Sequence, residues 1–358
     1  MAQSVPDRKP DWCVDIATLS RLAEQADDAL EWPAQSWAAL CSEAVVRWPV
    51  PRALGGLEFS SADLLRGYER LSGACLTTTF ILSRRDAAIR RLRDGARQDL
   101  AAELLPALAG GTAFATVGLS QLTTSRQHTA PALRATLSDQ HIVLDGVIPW
   151  VSGADRADFL VAGATLGDGQ QVLFVLPMEL PGIAIGKPLP LAALRGSRTA
   201  EIACRSVAVP RRWLLAGPAV QVLSTGRGGA GGLETSCLAI GHAGGAIDDL
   251  RRDADSRPDL LPMVERLNTT RQSLMDDLLS LAEKPAGPDA AIALRARANA
   301  LALRATQAAL TSAKGAGFVH PHAAQRRARQ AQFFLVWSCP RAAAEATLGY
   351  LGEGPVCS

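Results

Sequence analysis

Along the first third of the chain, apolar residues return every three or four positions. Leu19, Leu22, Ala23 and Ala26 form one stripe, and Trp37, Leu40, Cys41 and Ala44 another; this spacing lines one face of an α-helix. Pro49 and Pro51 close the second stripe, Gly55-Gly56 makes a tight turn, and Ser61 is placed to cap a helix through Leu71. Between Gly111 and Gly217 the pattern changes to short apolar runs: His141–Val147, Phe159–Gly163, Gln171–Leu176, Ile183–Gly186 and Glu201–Val209. Turn chemistry such as Gly167-Asp168-Gly169 and Pro181-Gly182 separates them, as hairpin-linked strands require. From Leu233 helical spacing resumes and predicts four helices, over 233–255, 259–283, 289–313 and 322–350, broken at Pro258, Pro285 to Pro288 and Gly315-Ala316-Gly317. The expected fold class is α+β: an N-terminal helical domain (1–110), a central antiparallel β-barrel-like domain (111–217) and a C-terminal four-helix bundle (232–351). The run from Gly226 to Gly232 reads as a linker, since it lacks the preceding strand and the Lys-Ser/Thr of a phosphate loop.

Composition narrows the function classes. Basic and acidic residues nearly cancel, 37 against 35, so no polyanion partner is implied. Arg84-Arg85 and Arg90-Arg91 read as a solvated helix face. The seven cysteines show no CxxC and no regular spacing, which points to free thiols in a reducing, cytoplasmic setting. The first residues lack the basic and apolar segments of a signal peptide, and no apolar run approaches the ~18 residues of a membrane helix. His320-Pro321-His322 is the densest imidazole site, but two histidines on a turn without a nearby carboxylate are a poor metal set.

An ordered series of short motifs resembles the acyl-CoA dehydrogenase family of flavoproteins. It runs Ala115-Thr116, Asp145-Gly146, Trp150-Val151-Ser152-Gly153-Ala154, Ala157-Asp158, Arg195-Gly196-Ser197 and Val207-Ala208-Val209-Pro210. The resemblance extends along nearly the whole chain. It implies the three-part fold above, bound FAD, a homodimer or homotetramer built on the last bundle, and an acyl-CoA-type thioester substrate. By the same resemblance Trp150 would cover one face of the flavin, Ser152 would present a hydroxyl near N5, and Thr116 would bond the ring edge. Gly241 to Asp248 matches the family's Gly-x-Ala-x-x-Ala-Leu-Asp, which places Arg257 on the arginine that reaches the neighbouring subunit's flavin diphosphate. Gly315 and Gly317 retain part of a glycine pattern that allows close backbone approach to the cofactor, and Lys314 stands where that pattern has glycine. The Ala/Leu stripe Ala291, Leu294, Ala298, Leu301 and Ala305 is expected at the subunit interface.

The largest departure from the family concerns the base that takes the substrate α-proton. The family's glutamate in the last bundle helix becomes Ser338, whose hydroxyl cannot take that proton unaided, and the adjacent Cys339 is mostly protonated in an apolar setting. Family members that place the base on the first bundle helix would put it at Gly231, and Glu234 lies nearly one helical turn beyond. Glu234 is therefore the candidate catalytic residue, although an acidic residue in a first turn also suits the helix dipole. The loop after Thr116 has lost the family's acidic and glycine pattern. Three functions are carried forward: FAD-dependent dehydrogenation of an acyl thioester, reduced-flavin monooxygenation on the same scaffold, and a non-catalytic scaffold.

Overall fold

A computed structural model describes residues 14–123, 130–224, 232–337, 339 and 341–352. The chain begins with five helices: α1 (Ile16–Asp28), α2 (Ala34–Ser42), α3 (Ser61–Ala74), α4 (Leu76–Arg93) and α5 (Gln98–Ala109). Asp15 caps α1 by accepting the Thr18 N–H at 2.9 Å. For α3 the cap is Ser60, one residue earlier than the spacing predicted, accepting the Asp63 N–H at 3.1 Å.

The middle of the chain forms one eight-stranded sheet: β1 (Ala115–Gly118), β2 (Leu133–Leu137), β3 (His141–Val151), β4 (Phe159–Leu166), β5 (Gln171–Pro177), β6 (Ile183–Ile185), β7 (Ala200–Pro210) and β8 (Leu214–Ala219). The order is β6-β7-β3-β2-β4-β5-β8, with β1 attached to β4. Most ladders are antiparallel, as expected; β1 and β2 instead pair with β4 in parallel. A short helix, α6 (Ser120–Thr123), follows β1.

The C-terminal helices are α7 (Gly232–Ala254), α8 (Leu261–Glu283) and α9 (Pro288–Gly317), followed by α10 (Ala323–Ala331), α11 (Phe333–Val336) and α12 (Arg341–Gly352). The predicted single helix over 322–350 is thus three pieces. Arg295 shows why: its buried guanidinium donates to the carbonyls of Phe334 at 3.2 Å and Trp337 at 3.1 Å, ending α11 there.

Glycines let α7 lie unusually close to its neighbours. A Cβ on Gly241 would stand 2.1 Å from the Glu69 carbonyl, and one on Gly245 would stand 2.3 Å from both the Gly73 carbonyl and Arg327 Nη1. The space above Gly245 is used by Arg327, which binds Asp249 at 2.8 Å and the Gly73 carbonyl at 2.8 Å. His242, one turn earlier, is fully enclosed and gives its Nε2 proton to the Arg327 carbonyl at 2.9 Å.

Burial, reinforced by the charges of Arg327 and Arg326, lowers the His242 pKa to about 3. The folded pKa lies below the ordinary 6.5, so the unfolded chain binds the extra proton between those values. Stability should therefore fall as pH drops below 6.5, by up to ~1.4 kcal/mol per pH unit from this group. Urea titrations at pH 7 and pH 5 check this, and a His242→Leu variant should show the slope reduced by one proton. Equal slopes in the two proteins would refute the assignment.

Two apolar cores result. One joins α1, α3, α7, α8 and α9; the other joins α5 to the sheet. Helix α4 belongs to both, with Phe80 and Leu82 in the first and Ala88, Ile89 and Leu92 in the second. Of the predicted stripe, Ala291 is half-buried, while Leu294, Ala298, Leu301 and Ala305 are 0–3% exposed within the single chain, so these four form intrachain core and not the subunit face the sequence suggested. Among the described residues no helix is long and apolar enough to cross a membrane.

Candidate active site

Helix α4 packs against β1, which carries Thr116, and against α7, which carries Glu234. Its arginines are not a solvated face. Arg85 is fully buried, pairing with Asp86 at 2.8 Å and donating to the Leu108 carbonyl at 2.5 Å, while Tyr68 donates to the other Asp86 oxygen at 2.6 Å. The sequence pattern missed this because Tyr68 and Leu108 come from two other helices. Arg84 lies over the Phe80 ring at 5.6 Å, and Phe80 in turn meets Trp337 edge-on at 4.8 Å.

Arg90 reaches Glu234, with Nη2 and Oε1 2.8 Å apart. Glu234 sits in the first turn of α7, and 21% of its side chain remains exposed. Burial pushes the Glu234 carboxyl up, but Arg90, its own backbone N–H and then Arg84 and Arg91 outweigh that, and the net shift is downward. Glu234 is therefore held as a carboxylate. Ser338 and Gly231, the two positions the family pattern would give a base, lie outside the described residues, as does the Gly-rich run before Gly232.

On the sheet, Thr116 is buried in β1, and its Oγ1 is enclosed without a hydrogen-bond partner. Trp150, near the end of β3, is 41% exposed. Ser152 is buried, and its Oγ lies 3.0 Å from Thr199 Oγ1, which lies 2.9 Å from Ser197 Oγ. Three hydroxyls joined by two hydrogen bonds use two protons and leave one O–H to donate. Thr199 was not singled out from sequence; its position two residues beyond Ser197, at strand spacing, was the available signal. The unpartnered Thr116 hydroxyl and the open Trp150 indole fit the ring end of a flavin, where one would bond the edge and the other cover a face.

The predicted diphosphate end is different. Arg257 donates to Ser312 and stands 3.6 Å from Asp253, and Ser312 in turn donates to Asp253 at 2.6 Å. Gly317 is needed by its own turn, since a Cβ would stand 2.5 Å from Ala313 Cβ, whereas Gly315 faces open space. The structure therefore divides the predicted residues into a sheet-side group (Thr116, Trp150, Ser152), a helix-side carboxylate (Glu234) and a separate cluster at Arg257. His320 binds Asp28 at 2.6 Å, so a carboxylate is nearby after all, and His322 Nδ1 accepts the Ala324 N–H at 3.1 Å to cap α10. No group of three metal-ligating side chains occurs among the described residues.

No family model matches the sequence. A probable acyl-CoA dehydrogenase of Bacillus subtilis is 25% identical over 339 residues, covering 88% of each chain. The human mitochondrial short-chain specific acyl-CoA dehydrogenase is 25% identical over 354 residues, covering 91% of this chain and 84% of the human one. The structure of butyryl-CoA dehydrogenase from Megasphaera elsdenii superimposes with a TM-score of 0.81 at 18% identity, covering 98% of this chain and 100% of that one. This chain is a divergent relative of the acyl-CoA dehydrogenases. The acyl-CoA dehydrogenase fold accounts for the sheet lying between two helical regions of the sequence.

Proposed function

We propose that this acyl-CoA dehydrogenase relative is a flavin-dependent oxidoreductase that removes hydrogen from the α,β carbon–carbon bond of an acyl thioester. Glu234 takes the α-proton. The observation that carries the reading is the setting of Glu234: an ionised, one-fifth-exposed carboxylate at the start of α7, beside the helix that packs on the Thr116 strand. Bound flavin supplies the hydride acceptor. The protein's own part is to hold the ring, with Thr116 at its edge and Trp150 on its face, and to present a proton acceptor.

An ionised carboxylate is the form that can receive a proton. As Glu234 becomes neutral it loses the attraction of Arg90, so Arg90 both positions the carboxylate and restrains its basicity. A homodimer or homotetramer belongs to the same proposal, supported by exposed apolar side chains at Phe318 (82%), Val319 (64%) and Leu348 (67%). The free thiols at Cys41, Cys75, Cys204, Cys237 and Cys339 are in keeping with a cytoplasmic setting.

The Arg90 clamp also supports a second reading. A reduced-flavin monooxygenase needs no α-proton acceptor, and a carboxylate locked in an ion pair is no loss to it. Anaerobic addition of a short acyl-CoA to the flavin-bound protein, and separately an aerobic assay with supplied reduced flavin, distinguish the two. Bleaching of the visible flavin band supports dehydrogenation. Oxygen uptake that requires supplied reduced flavin supports monooxygenation, and neither response supports a non-catalytic scaffold.

A further inference from the structure

A cavity of about 510 Å³ lies where the ends of α7 and α9 meet the start of α10. Its charged lining is Asp249, Arg252, Asp253 and Arg257, and these four charges cancel. His322 also lines it, with its Nδ1 accepting the Ala324 N–H at 3.1 Å.

Each arginine here already has a carboxylate. Arg252 pairs with Asp249, which Arg327 also holds at 2.8 Å, and Arg257 pairs with Asp253 at 3.6 Å. Ser312 fastens the second pair from the side, accepting from Arg257 and donating to Asp253 at 2.6 Å. By the resemblance that singled out Arg257, this cavity would receive the diphosphate of a neighbouring subunit's flavin, which would lie beside two aspartates and would have to take Arg257 from one of them. Like charges at such range oppose binding, and the fork that would bind phosphate is partly spent. The neighbouring backbone is also unlike a cofactor cradle. Lys314 holds φ 52° and ψ −146°, a conformation that suits glycine, where the family pattern has glycine.

We infer that this chain holds flavin by its ring end alone, so that the adenylate half of FAD adds no affinity and FMN binds as tightly as FAD. The inference rests on the flavin reading above and adds the choice of cofactor to it. The Asp253–Ser312–Arg257 network then has a structural task, tying the end of α7 to α9.

Titrating the full-length, flavin-free chain with FAD and with FMN, followed by quenching of flavin fluorescence, tests it without any turnover. The two dissociation constants should agree within ~3-fold. Asp253→Asn releases the Arg257 charge and should favour FAD over FMN by ~10-fold or more. That gain should vanish when Arg257→Gln is added. FAD binding ~30-fold or more tighter than FMN in the unaltered chain overturns the inference. Binding of neither flavin removes the flavin reading itself, and this inference with it.

Discussion

Replacing Glu234 by glutamine is expected to slow anaerobic reduction of bound flavin by an acyl thioester by ~100-fold or more, the usual cost of losing a general base. Glutamine keeps the size and most of the hydrogen bonding of the side chain, so bound flavin should remain. Rapid-mixing absorbance at the visible flavin band reads the rate, and the spectrum before mixing reads occupancy. Ser338→Ala should have a far smaller effect. Arg90→Met supplies a sharper version of the same test. Arg90 is the first among the charges that draw the Glu234 carboxyl below its ordinary range against the effect of burial. Without it the carboxyl should titrate at higher pH, and the acid limb of the rate profile should move in the same direction. Flavin reduction by Glu234→Gln at the unaltered rate would falsify the proton-acceptor role and leave the monooxygenase or scaffold reading in front.

Asp86→Ala should produce the largest loss of stability in the helical region. Asp86 and Arg85 are both 0% exposed, and the carboxylate serves Arg85 and the Tyr68 hydroxyl together. Burial alone raises the Asp86 pKa, and Arg85 and Tyr68 only partly offset it, so the site is held by pairing and not by solvent. Removing the acid leaves a guanidinium unpaired in the core, at a cost of ~3–5 kcal/mol. Adding Arg85→Met removes the stranded charge and should recover a large part of that loss, since an apolar replacement of a buried pair is often neutral. Urea denaturation of the two variants decides the point. A single variant within ~1 kcal/mol of the unaltered chain would show that water or another group reaches Arg85.

The parts of this fold legible in sequence are those whose periodicity is long and uninterrupted. Helices α8 and α9 were bounded by Pro258 and the Pro285 to Pro288 segment, which act as local signals. Strands β4, β5 and β7 were legible as apolar runs between turns. Strand β2 was not: Leu133–Leu137 is short, and its partners lie on both sides of it in the sheet. The break between α10 and α12 was hidden because Arg295, from a different helix, captures the carbonyls that end α11. Charge was the least legible signal. Arg84-Arg85 and Arg90-Arg91 look like surface residues until folding brings Tyr68, Leu108 and Glu234 to them. Glu234 itself could be named because it opens a helix near a family position. That it is clamped by Arg90 depends on tertiary packing, and so does the pairing of Arg257 with Asp253.

Helix α4 has one half in the helical core and the other in the core against the sheet. A rod fixed at both ends in different apolar interiors acts as a rivet: neither interior can part from the other without extracting part of it into water. Hinge opening between bundle and sheet is thereby denied to this molecule. A swing of one layer against the other would have to draw Phe80 and Leu82, or Ala88, Ile89 and Leu92, out of an apolar interior into water.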